Sequence, residues 1–234
     1  MAIFNSMKLQ DNIAKEFNEF SKNYLDDMVK IVPYYLQLLE HFTMDIPHHF
    51  KPKHILDLGC GNGIITSKLS PLFPDAHYTL LDASDKMLEI CEMQFGLQNK
   101  TYVSSYFKDY EFQDQCFDMV VAGFSLHHCP AKDKQELFNS IFKSLKPHGV
   151  FMCSDLMVDK KEPSHLDLLE YWKAFVVKNP ADQDIWDWLM VHYQTYDHPE
   201  ALNNQLDWLK QVGFTDFKIN IFNNFWVHLM AIKP

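Results

Sequence analysis

Ile55-Leu56-Asp57-Leu58-Gly59-Cys60-Gly61-Asn62-Gly63 runs directly into Ile64-Ile65-Thr66-Ser67-Lys68-Leu69. The apolar start predicts a buried strand, the glycines a turn, and the continuation the opening of a helix, which is how an α/β protein cradles an anionic or nucleotide-like ligand. Three glycines at alternate positions let the backbone take positive φ and approach a ligand with no Cβ in the way. A second anchor stands at the end of the next apolar run, Tyr78-Thr79-Leu80-Leu81-Asp82, where a carboxylate at a strand's C-terminal edge is placed to meet a ribose diol. This part of the chain reads as a nucleoside-cofactor site.

The 234 residues are 47% hydrophobic, enough for one well-buried core and short for two. One domain over residues 1–234 is expected, with cap helices in 1–50, a cofactor-binding core in 51–155, a helical lid in 156–198 and a closing helix and strands in 199–234. No apolar run is long enough for a bilayer, and residues 1–17 carry no cleavage pattern, so a cytoplasmic protein without membrane contact is expected, as a monomer or a homodimer. Cys60, Cys91, Cys116, Cys129 and Cys153 are odd in number and form no CxxC pair, which excludes a disulfide framework or a zinc knuckle as the organising device. The net charge is -10, and all 21 basic residues are Lys. Without a basic excess or a single bidentate Arg, large nucleic acid is disfavoured as a partner.

Ahead of the first strand, Ile13, Phe17, Phe20, Tyr24, Met28, Ile31, Tyr35, Leu36 and Leu39 recur at helical spacing, predicting two amphipathic helices broken near Pro33. They are expected to cover the glycine turn, with Tyr24, Tyr34 and Tyr35 closing over a ligand or, more simply, filling core. His48 and His49 have no acidic or cysteine partner at ligand spacing, so a surface loop and no metal site are expected there. Ser84 is placed to cap the helix that follows Asp82. Further strands are predicted at 101–104, 117–123 and 150–154, and a helix at 132–145 ends in Lys146-Pro147-His148-Gly149 with Gly149 as the turn residue. Alternating strands and helices predict a parallel, doubly wound sheet whose carboxyl strand ends gather the glycine turn, Asp82, Tyr106 and the segment 124–128. An aromatic helical stretch at 163–196, a helix at 199–212 and strands at 217–222 and 225–233 complete the chain, the last two pairing at a sheet edge.

On these residues the chain resembles the class I S-adenosylmethionine-dependent methyltransferases, over residues 12–233. Asp57-Leu58-Gly59-Cys60-Gly61-Asn62-Gly63 resembles the family's first motif, Phe117-Asp118-Met119-Val120-Val121 its fourth-strand motif, and Leu145-Lys146-Pro147-His148-Gly149-Val150 its turn into strand five. The competing dinucleotide fingerprint, Gly-x-Gly-x-x-Gly, fails because Ile64 stands where its last glycine belongs. The resemblance implies a Rossmann-like, seven-stranded, mostly parallel sheet with an antiparallel last strand. It implies S-adenosylmethionine as cofactor, held by Asp57, Gly59, Cys60, Gly61, Asn62, Gly63, Asp82, Ala83, Met87, Tyr106, Phe107, Gly123 and Phe124, with Tyr24 close by. Asp82 takes the place of the acidic residue on the ribose hydroxyls. The third motif departs from the family pattern: Ser104-Ser105-Tyr106-Phe107 puts Tyr106 where an Asp usually meets adenine. The segments 17–24 and 208–214 resemble a small-molecule subgroup that includes relatives of the wobble-uridine enzyme using carboxy-S-adenosylmethionine. In that enzyme an arginine reads the added carboxylate, and the lack of Arg here favours the ordinary cofactor.

Methyl transfer is a displacement at a carbon already activated by sulfonium, so position and exclusion of water do most of the work. A proton must still leave an oxygen or nitrogen acceptor, and His127 and His128, just after strand four, are the candidate bases. Their structural alternative is a ring that packs or bonds to backbone. Gly123-Phe124-Ser125-Leu126 replaces the Asn/Asp-Pro-Pro-Tyr/Phe of amino-group enzymes, which argues against nucleobase methylation. The expected acceptor is a small, aromatic or partly apolar molecule, O- or N-methylated, with Tyr171, Trp172, Trp186, Tyr193 and Trp226 as candidate walls, each of which would serve equally as core. The alternatives are a non-catalytic cofactor- or partner-binding module on the same fold and a tRNA-modifying methyltransferase.

Overall fold

A computed structural model describes residues 24–234. The predicted helical start at residues 11–23 and the side chain of Tyr24 lie outside the described residues.

The strands are β1 (His54–Leu58), β2 (His77–Asp82), β3 (Lys100–Ser104), β4 (Phe117–Gly123), β5 (Leu145–Leu156), β6 (Thr215–Phe222) and β7 (Trp226–Ile232). They form one seven-stranded sheet in the order β3-β2-β1-β4-β5-β7-β6. All neighbours are parallel except β7, which runs antiparallel to both β5 and β6. The doubly wound sheet with one antiparallel strand is the fold the sequence predicts. In β1 the residues Ile55, Leu56 and Leu58 are fully buried, because a central parallel strand is covered on both faces.

Side chains alternate between two cores at the strand period. Ile55, Met119, Val121, Val150 and Met152 face one core. It is filled by α1 (Tyr24–Ile31), α2 (Tyr35–Met44), α3 (Ile64–Leu69), α4 (Asp85–Phe95), α6 (Ser164–Val176) and α7 (Gln183–Tyr196). Leu56, Leu58, Val120, Ala122, Phe151 and Cys153 face the other, against α5 (Ala131–Ser144) and α8 (Leu202–Val212). The break between α1 and α2 falls at the predicted place, with Tyr34 at φ 60. Tyr34 and Tyr35 take the core reading: Tyr35 is buried 5.1 Å from the Phe124 ring, and Tyr34 packs against Tyr171, Phe222 and Trp226.

The 163–196 stretch is helical as expected, two helices separated by a short 3-10 turn, Pro180–Asp182. Trp172 Nε1 donates to Ile31 O at 2.6 Å, tying α6 to α1. One expectation changes: residues 146–149, read as a turn with Gly149 as its turn residue, already belong to β5, which begins at Leu145. His148 takes the positive φ, 63°, while Gly149 is required because a Cβ there would stand 2.8 Å from Lys146 O.

The strand order reverses between β1 and β4: β1 pairs with β2 on one side and β4 on the other. Crossovers leave in opposite directions there, which opens a crevice at the carboxyl ends. Among the described residues no helix is long and apolar enough to cross a membrane.

Candidate active site

The glycine turn is tied to β2 by backbone bonds, Gly59 N and Cys60 N both donating to Leu81 O. Gly59 sits at φ +67, and a Cβ on it would fall 2.4 Å from Ser125 Cβ, so no side chain fits. Asp82 fixes the other end of the turn. Gly61 N donates to its Oδ2 at 2.9 Å and Ser84 N to its Oδ1 at 2.8 Å. Burial raises the Asp82 pKa, and these backbone donors oppose that rise. Ser84 is the predicted cap of α4, its Oγ accepting from Met87 N at 3.2 Å. Beneath the turn Asp57 is fully buried. Thr66 Oγ1 donates to its Oδ2 at 2.7 Å, its Oδ1 has no hydrogen-bond partner, and burial pushes its pKa up to about 7.

Above the turn lies a cavity of about 420 Å³. Of the residues expected to hold a cofactor, Gly59, Gly61, Asp82, Ala83, Met87, Tyr106, Phe107 and Phe124 border it. Asp57, Cys60, Asn62, Gly63 and Gly123 do not. Gly63 backs onto Phe95, Gly123 onto Ile65, and Cys60 is buried with Cys91 nearby. These five shape the turn from behind. The cavity falls in the size range of small-molecule sites, roughly 300–1,000 Å³. A carboxylate at a ribose-binding position, a turn open to close backbone approach and apolar Ala83, Met87 and Phe107 fit a nucleoside joined to an amino acid. Asn62 Oδ1, buried without a hydrogen-bond partner, adds an acceptor beside the turn.

A second cavity of about 80 Å³ opens on the other side of Phe124 and His128, which border both. Phe124 holds φ 53, an uncommon value for a bulky residue, and its N donates to Ser154 O at 2.8 Å. That backbone seats the ring between the cavities. Trp172 and Trp226 border the smaller cavity as expected. Tyr171, Trp186 and Tyr193 do not: Trp186 and Tyr193 pack edge-on to Trp172, and Tyr171 donates to Tyr34 Oη. Helical periodicity puts an aromatic ring on a face, and here three of those five rings meet protein.

His127 and His128 form a one-turn 3-10 helix after β4, Leu126–His128. Asp155, near the end of β5, accepts from His127 N at 2.9 Å and holds His127 Nδ1. Asp197, after α7, places Oδ1 at 3.1 Å from His128 Nδ1, 3.7 Å from His127 Nε2 and 3.5 Å from His192 Nε2. Burial lowers the His127 pKa, but the Asp155 and Asp197 charges outweigh it and the net shift is upward. Burial, with the neighbouring His127 charge, pushes His128 down to about 4. Asp197 is raised by burial, but the charges of His127, His128 and His192 outweigh it and hold its pKa at about 2.

Asp155 and Asp197 meet the two histidines without the sequence having singled them out, whereas the buried Lys134, which donates to His198 O, borders neither cavity. The strand-end rule applied to β5 would have found Asp155. Nothing local marks Asp197, which reaches the histidines only through the packing of α6 and α7.

Residues 55–149 match the family described as "Methyltransferase domain". Over its length the chain is 27% identical to a demethylmenaquinone methyltransferase of Leptospira interrogans, covering 95% of this chain and 92% of that protein. It is 25% identical to a carboxy-S-adenosyl-L-methionine synthase of Desulfotalea psychrophila, covering 94% and 92%. Among solved structures, an S-adenosylmethionine-dependent methyltransferase from Mesorhizobium loti superposes with a TM-score of 0.63 at 18% identity, over 86% of this chain and 99% of that one. The matched domain carries the glycine turn and Asp82, the sheet is the seven-stranded, mostly parallel one that the resemblance implies, and the cavity above them fits the cofactor. Residues 55–149 thus carry a methyltransferase domain, and the chain is an S-adenosylmethionine-dependent methyltransferase with S-adenosylmethionine as its cofactor.

Proposed function

We propose that this enzyme methylates a small, planar, largely apolar acceptor at an oxygen or nitrogen whose proton leaves to the His127–His128–Asp197 cluster. The observation that carries this reading is the shared wall: Phe124 and His128 border both the large cavity and the small aromatic one, so a donor and an acceptor would meet across them. Asp82 would take the ribose hydroxyls, since each carboxylate oxygen already accepts one backbone N–H and has a lone pair left. The glycine turn would lie along the methionine part. When bound, S-adenosylmethionine supplies a methyl group on a sulfonium, a carbon that needs no further activation.

The chain's own contribution is then position, dryness and charge. Trp172 and Trp226 give an acceptor two aromatic faces, and Leu156, Met28 and Ile31 keep water from its edges. Asp155 fixes the His127 ring through Nδ1, which turns Nε2 toward Asp197 and the cavity. The demethylmenaquinone named for the Leptospira relative is a planar ring compound and supports a flat acceptor. The carboxy-S-adenosylmethionine named for the other relative calls for recognition of a carboxylate, for which this chain offers Lys but no Arg.

Incubating the enzyme with methyl-labelled S-adenosylmethionine and a panel of phenols, quinols, enolisable keto acids and amines tests the reading. Label is expected in at least one flat, ionisable acceptor. Transfer only to tRNA or protein would overturn it, as would tight binding of S-adenosylhomocysteine with no turnover on any acceptor.

A further inference from the structure

We propose that His127, His128 and Asp197 hold a divalent first-row transition-metal ion at the floor of the small cavity. One candidate ligand atom from each of the three lies within 4.8 Å of the others. A metal with bonds of about 2.0–2.2 Å to nitrogen and carboxylate oxygen sets its ligands roughly 3–4 Å apart, so a small inward movement completes the site.

Three further observations favour an ion. Asp197 is 6% exposed, and its Oδ1 stands 3.1 Å from one imidazole nitrogen and within 3.7 Å of two more. A buried carboxylate oxygen facing three ring nitrogens has the geometry of a shared ligand set. On the far side of His127, Asp155 holds Nδ1. With Nδ1 as the donor, the Nε2 lone pair points toward an anionic carboxylate, an arrangement that a cation between them relieves. A carboxylate behind a ligating histidine is also the usual device for fixing the ring and strengthening its basicity. Finally, Lys160 Nζ donates to the backbone carbonyls of Tyr193 and Asp197 at 2.8 and 2.7 Å, which locks the segment that carries Asp197.

Two imidazoles and one carboxylate select Zn²⁺, Fe²⁺ or a similar ion over Mg²⁺ or Ca²⁺, which prefer oxygen ligands. All three residues border the small cavity, so the remaining coordination positions face the acceptor. There, with the three side chains engaged as ligands and unable to take the proton themselves, the ion would bind an oxygen acceptor as its anion and the proton would pass to solvent in place of the cluster. That role rests on the acceptor reading above; the binding of the ion does not.

The full chain, stripped with a chelator and saturated with S-adenosylhomocysteine, is titrated with Co²⁺ and followed by its visible d–d absorption, with Zn²⁺ as competitor. About one Co²⁺ per chain with imidazole-type bands, displaced by Zn²⁺, is expected, and Asp155→Asn should weaken it by about 10–100-fold. Asp197→Ala should weaken it at least as much, with S-adenosylhomocysteine binding on the same samples reporting that each variant is folded. Absence of Co²⁺ binding tighter than millimolar in the unsubstituted chain would overturn the site. Unchanged affinity in a folded Asp197→Ala would overturn it too. Co²⁺ binding without methylation of any acceptor in the panel would keep the metal site and remove the acceptor reading.

Discussion

The two cavities share Phe124 and His128 but are made in opposite ways. The larger one is framed on its cofactor-turn side by backbone: the Gly59–Gly63 turn is pinned to Leu81 and Asp82 by main-chain N–H groups, and β1 and β2 are neighbours in the sheet. The smaller one is framed by side chains drawn from α1, the segment after β4, β5, α6, α7 and β7. A backbone cradle suits a ligand that never changes, because its donors are fixed by the fold. A side-chain cavity can be reshaped without touching the sheet, so it is where acceptor choice belongs. Substitutions on the two sides should therefore separate donor binding, acceptor binding and stability.

The largest effect is expected at Gly59. Gly59→Val imposes both a left-handed β-branched residue and a clash with Ser125 Cβ, costing about 2–4 kcal/mol of stability and abolishing S-adenosylhomocysteine binding. Thermal unfolding and calorimetric titration check this, and a stable variant that still binds would show the turn is not the cradle. Next, Asp82→Ala leaves Gly61 N and Ser84 N without their acceptor. S-adenosylhomocysteine binding should weaken roughly 10–100-fold, or about 1.4–2.7 kcal/mol.

Across the shared wall the pattern should reverse. Trp172→Phe removes the bond to Ile31 O and one edge of the small cavity, lowering stability by about 1 kcal/mol and raising acceptor KM several-fold while S-adenosylhomocysteine affinity stays constant. Trp186→Phe, one ring further back, should lower stability and leave acceptor KM alone, since Trp186 is buried and does not reach the cavity. Equal KM changes in both variants would dissolve the distinction between wall and core.

The smallest effect lies outside both cavities. His228 is fully buried in β7, its Nδ1 2.8 Å from Ser154 Oγ, and burial pushes its pKa from 6.5 down to about 3. Between those values the unfolded chain binds the proton that the folded chain refuses, so stability rises with pH from about 3 to 6.5 and this contribution is flat above. Asp45, pushed up by burial but held below its usual value by Lys218, His228 and His41, slopes the same way at lower pH. Thermal melts from pH 4 to 7 should show the rise, and His228→Phe should flatten part of it without moving either ligand's affinity.

The elements that were legible in the sequence share a short range. The Gly59–Gly63 turn, the Ser84 cap and the alternation of β1 and β4 depend on neighbours within a few residues, so residue type and spacing were enough. At 146–149 the same reasoning expected a turn where β5 already runs: sequence could not show that Gly149 answers a close approach of Lys146 O within the strand. The aromatic stretch shows the limit more plainly. Tyr171, Trp172, Trp186 and Tyr193 were equivalent as letters at helical spacing, and only the packing of α6 and α7 turned Trp172 to the cavity, Trp186 and Tyr193 onto Trp172, and Tyr171 onto Tyr34.

The identity of the cofactor was thus written in contiguous motifs, because a nucleoside bound by backbone at one strand end needs a particular local turn and one carboxylate a strand away. The chemistry offered to the acceptor was not. Asp155 and Asp197 meet His127 and His128 from 28 and 69 or more residues downstream, and a charge's partner across such distances is set by how helices pack on a sheet, a sum of many weak contacts that no local pattern encodes.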